Sequence, residues 1–142
     1  MAHTASTDDL AFRDSVESGT LQPSDFGHRA HLRLAYAYLT EHDTDGAYAR
    51  MRTTILAFLA RNGVDPSKYH ETITRAWIMA VRHFMESSAD CGSADEFIDA
   101  NPVMLDSKIM LSHYSAELLF SNRARTGFVE PDLEQIPEYE SE

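Results

Sequence analysis

The sequence predicts an all-α fold: an irregular bundle of four principal helices plus short ones, followed by an extended acidic C-terminal tail. Two observations carry that expectation. Apolar residues recur at helical spacing in four long stretches, and each stretch is bounded by residues that start or stop helices. No alternating run between turn signals reads as a strand, and no internal repeat is evident. The 142 residues fit a single domain, with a folded core over 7–128 and an acidic, extended or mobile tail over 129–142.

The first expected helix spans residues 7–18, with Thr7 or Asp8 as N-cap, Leu10, Phe12 and Val16 as apolar positions, and Gly19 as stop. The second runs from His28 to His42. At about 100° per residue, its apolar face holds Leu32, Ala35, Tyr38 and Leu39 together with His28 and His31, while Arg29, Ala30, Arg33 and Ala37 lie opposite. The third covers 45–62 with a stripe of Met51, Ile55, Phe58 and Leu59, closed by Asn62-Gly63. The fourth opens at Asp65-Pro66 and continues to Met85, placing His70 amid Ile73, Thr74, Trp77, Val81 and Phe84. Ser93 and Glu96 form a capping box for a short helix that must end before Pro102. Leu105, Ile109, Met110 and Leu111 give another apolar turn or two, and Ser115 caps a last helix with Leu118, Leu119 and Phe120. Beyond Glu130 there is no periodicity.

Composition narrows the function classes. Apolar residues at 43% and charged residues at 25% are ordinary for a soluble protein. The apolar runs fall far short of the ~20 residues of a membrane span, and the polar N-terminus lacks a signal-peptide core, so a cytoplasmic location is expected. A single cysteine, Cys91, rules out an intrachain disulfide. The net charge is −11, of which Glu130, Asp132, Glu134, Glu138, Glu140 and Glu142 supply six, leaving the body at −5. With no basic cluster, neither nucleic acid nor an anionic membrane is an expected partner.

Two imidazoles on one inward helix face call for a chemical reason, and metal sites in bundles are built from such side chains on facing helices. His28, His31 and His70 form the expected set, with His113 as a further candidate ligand. Three imidazoles with one open position suit a divalent transition metal such as iron, copper or zinc. Glu71, about 100° from His70 on the wheel, is a candidate general base or partner of a ligating histidine, and Tyr114 a second catalytic candidate. Thr74, Trp77 and Arg125 are the candidates for holding substrate. The expected function is a metal-dependent enzyme acting on a small polar substrate. Two alternatives stand beside it: a metal-free histidine acid/base enzyme, and a non-catalytic ligand-binding or interaction module.

These residues fall in a wider pattern. Phe-x-His-x-x-His-Leu at Phe26 to Leu32, Tyr-His-Glu-Thr-x-Thr at Tyr69 to Thr74, Tyr114-Ser115, and Ser-x-x-Ala-Arg-x-x-Phe-Val-x-Pro-Asp at Ser121 to Asp132 occur in order. In them the chain resembles a group of small helical bacterial proteins of uncharacterised function, over most of residues 10–133. The resemblance implies a shared site without naming a reaction, and favours Arg125 over Arg123.

Overall fold

The structure is a computed structural model that describes residues 3–137; among them are seven α-helices, short 3-10 turns and no strand. The helices are α1 (Thr7–Ser18), α2 (His28–Glu41), α3 (Thr44–Arg61), α4 (Glu71–Ser87), α5 (Ala94–Ala100), α6 (Ala116–Leu119) and α7 (Asn122–Thr126). The turns lie at Pro23–Asp25, Pro66–Lys68, Pro102–Leu105 and Ser107–Ser112. The fold is therefore all-α, and no helix among the described residues is long and apolar enough to cross a membrane.

Side chains close most helix starts. Ser6, not Thr7 or Asp8, caps α1 in a reciprocal box with Asp9: the Ser6 hydroxyl accepts from Asp9 N and the Asp9 carboxylate from Ser6 N, each at 3.0 Å. Asp9 is buried, and also accepts from Ala94 N at 2.8 Å and Arg33 Nε at 2.9 Å. Burial alone would raise its pKa, but these donors outweigh it and hold the carboxyl below its usual range. Asp43 caps α3, Ser93 caps α5 as expected, and Gly19 ends α1 at φ 78°, a left-handed conformation that favours glycine.

α2 is the central helix, packed against α1, α3, α4 and α5. Leu34, Tyr36 and Ala37 are all fully buried, so Ala37 does not face outward as a one-sided wheel implies. Each buried tyrosine on it finds a polar partner, as burial requires. Tyr36 donates toward the Thr4 and Cys91 carbonyls, and Tyr38 donates to Glu17 at 2.6 Å while Thr54 bonds its oxygen.

The fourth helix starts later than its sequence suggests. Asp65 caps only the short turn at Pro66–Lys68, accepting from Ser67 N; the chain is then extended through Tyr69 and His70, and the α-helix begins at Glu71. One face of α4 joins the main core. Another, through Ala76, Met79 and Ala80, packs on Met110, Tyr114, Leu119, Ala124, Val129 and Ile136. The segment expected as a loose tail is thus tied down in its first part. Thr72 Oγ1 donates to Gly127 O at 2.9 Å and accepts from Val129 N at 3.2 Å, Tyr114 donates to Val129 O at 2.7 Å, and Asp132 accepts from both Ser115 N and its hydroxyl. It runs without helix, as expected. The rest of that tail, from Glu138 on, lies outside the described residues.

Candidate functional site

A cavity of about 470 Å³ lies between α2, α3, α4 and the segment 107–120. Its walls are mainly apolar. Leu32, Ala35, Ile78, Met110 and Leu119 form the buried floor, while Leu111, Phe120 and Lys108 are exposed at the rim. Trp77 and Thr74, two of the expected substrate-binding residues, line it, and so do His28 and His31. The reading that these two histidines share one inward face therefore holds in three dimensions.

Each of the two imidazoles is fixed by a backbone carbonyl. His31 Nδ1 lies 2.7 Å from Gly27 O, the carbonyl one turn back, and its ring stacks on Phe26 with centroids 3.9 Å apart. A carbonyl only accepts, so Nδ1 carries the proton and Nε2 keeps its lone pair. That lone pair has no protein partner among the described residues, nor is the nitrogen sealed from solvent. Burial pushes the His31 pKa down, outweighing the opposing effect of the Gly27 carbonyl, with His28 adding to the fall. Near neutral pH the ring is therefore an uncharged acceptor. His28 Nε2 donates to Met104 O at 2.8 Å, and its ring meets Trp77 edge-on with centroids 4.8 Å apart.

His70 does not join them. It is the N-cap of α4, not a member of its buried stripe, because its backbone (φ −122°, ψ 108°) is extended. Its Nδ1 accepts from Ile73 N at 3.0 Å, so Nε2 must carry the proton that it donates to Leu119 O at 2.7 Å. Both nitrogens are spent. Burial, and then Arg125 against the opposing Leu119 bond, lower its pKa and favour the neutral form that this double role needs.

The remaining expected residues hold the fold. Glu71 is enclosed by Tyr48, by Tyr69 at 2.7 Å and by Arg52 Nε at 2.9 Å, outside the cavity wall. Burial works to raise its pKa, but the three hydrogen bonds prevail and keep it below the usual carboxylate range; Tyr48 in turn is pushed up to about 12. Tyr114 is fully buried against Val129 O. His113 uses Nδ1 on Glu134 O and its own carbonyl on Leu133 N, fastening the C-terminal segment. Arg125 bonds Asn122 within α7, away from the cavity lining.

This donor set does not fit the expected metal. His28 and His31 offer one free nitrogen each, His70 offers none, and among the described residues no three His, Cys, Asp or Glu side chains are grouped to hold an ion. Sequence reasoning missed Phe26 as the plate under His31, and Ser107 and Lys108 at the rim. The motif held a hint of the first, since Phe26 precedes the two histidines. No periodicity orients side chains in the irregular segment that carries the other two. Comparison with protein-family models, with curated proteins and with solved structures gave no match, so what the site does is read from its own geometry.

Proposed function

We propose that the protein binds a small, largely apolar molecule in the cavity beside α2, with His31 Nε2 accepting a hydrogen bond from a hydroxyl or N–H group on it. The observation that carries this is the pairing of an apolar enclosure with one neutral imidazole whose proton is held on the far side by Gly27 O. Ligand pockets combine such walls with a few placed polar groups. A cavity of about 150 Å³ holds benzene, so about 470 Å³ suits a ligand of up to roughly 18 non-hydrogen atoms. A second reading extends the first: a neutral imidazole with a depressed pKa, oriented by a backbone carbonyl, has the attributes of a general base toward the hydroxyl it binds.

Trp77 supplies the test, as the single tryptophan and a wall of the cavity. Titrating para-cresol against its fluorescence is expected to give a saturable change, with toluene binding several-fold more weakly for want of a hydroxyl. One neutral hydrogen bond contributes about 1 kcal/mol, or roughly fivefold, and that difference should vanish in His31→Ala. The preference should also fade as pH falls below the usual histidine range, through the depressed pKa of His31, because the protonated ring no longer accepts. Absence of any saturable response to para-cresol sinks the reading.

A further inference from the structure

Resting on that reading, we infer that the ligand is amphipathic and carries a carboxylate, its apolar body in the cavity and its anionic end at Lys108 and Ser107 on the rim. Among the described residues lining the cavity, Lys108 alone bears a formal charge. Lys108 makes no ion pair with a described residue, a condition it shares with Arg50, Arg61, Lys68, Arg123 and Arg125, but it alone of these six lines the cavity. Its neighbour Asp106 forms no ion pair with it: one oxygen of that carboxylate accepts the Lys108 backbone N–H at 2.9 Å and so shapes the turn that presents the side chain. The Ser107 hydroxyl, exposed beside it, has no hydrogen bond to the described protein.

Leu111 and Phe120, 37% and 67% exposed, complete the same rim. An apolar cavity, an apolar lip and one unpaired ammonium with a hydroxyl next to it make a gradient from apolar to cationic along one path. A lone lysine matches a monoanion; a phosphomonoester would ask for several donors. With His31 accepting inside, the ligand class is a hydroxylated aryl or alkyl carboxylate.

The test compares para-hydroxyphenylpropionate with its carboxamide and with para-cresol on the full chain, read by Trp77 fluorescence. The carboxylate is expected to bind roughly threefold to fivefold more tightly than the carboxamide, the range of an exposed ion pair. That gain should shrink in higher salt and disappear in Lys108→Gln, where carboxylate and carboxamide should bind alike. Equal binding of carboxylate and carboxamide, or a preference that survives Lys108→Gln, overturns this inference even while para-cresol binds. If para-cresol itself fails to bind, the underlying reading falls, and this inference with it.

Discussion

Replacing His70 by alanine should destabilise the protein, although His70 is not itself a wall of the cavity. His70 accepts from Ile73 N as the cap of α4 and donates to Leu119 O, whose residue is buried. Losing a side-chain cap costs about 0.5–2 kcal/mol. Leaving the Leu119 carbonyl without its donor costs about 1–3 kcal/mol more. At roughly 3 °C per kcal/mol for a chain of this size, a total of about 1.5–5 kcal/mol lowers Tm by about 5–15 °C. Asparagine is a good N-cap but too short to reach Leu119, so His70→Asn should recover only the capping share. The lowered pKa of His70 adds a signature with a definite sign. Its stabilising contribution is whole above the unfolded histidine value of about 6.5 and is lost as pH falls toward the folded value, so His70→Asn should flatten the stability profile in that window. Thermal melts by circular dichroism across pH measure both. A His70→Ala protein melting within about 2 °C of wild type, or a His70→Asn protein no better than His70→Ala, would refute the capping role.

Two further outcomes test the groups around α4. Glu71→Gln gives up charge-assisted bonds from Arg52 and two tyrosines and should cost about 2 kcal/mol above pH 5, with a smaller deficit in acid. The depressed folded pKa of Glu71 means wild type itself loses this term as pH falls below about 4.3; urea melts at two pH values suffice to see it. Thr72→Val keeps the shape but strips the partner from Gly127 O and Val129 N. Amide exchange at Val129 should accelerate by at least tenfold, the equivalent of about 1.4 kcal/mol, while exchange in α2 slows or speeds only with global stability.

The helices were legible wherever burial was one-sided and ends were marked by ordinary caps. Gly19, Ser93 and Ser115 are legible as caps, and the shared face of His28 and His31 follows from spacing alone. What misled was the stretch before Glu71. Asp65-Pro66 is a good helix start, but the turn it begins closes after Lys68, and the true cap is a histidine, a residue type that capping preferences do not flag. A wheel drawn through His70 therefore measured an angle that its extended backbone does not have, and put a structural side chain among the ligands. Glu71 differs: its wheel position leaves it a candidate base at the edge of the stripe, while the structure encloses it for a reason no wheel holds, the arrival of Tyr48 and Arg52 from α3. Over 102–115 only a turn or two of apolar spacing is visible, the chain forms short 3-10 turns rather than a helix, and Ser107, Lys108, Met110 and Leu111 there line the cavity.

The buried Asp9 cluster has a kinetic side. Asp9 and Ala94 lie 85 positions apart in the chain, and His3, which donates to Met85 O at 2.7 Å and accepts from Cys91 N, reaches across 82. Most contacts in a helical bundle are local, and these bonds repay nothing until a long loop has closed. α2, α3 and α4, consecutive in the chain, can dock on one another first and raise three sides of the cavity. The N-terminal edge can then close last, as a clasp over a cavity whose α2, α3 and α4 walls need no contact with it.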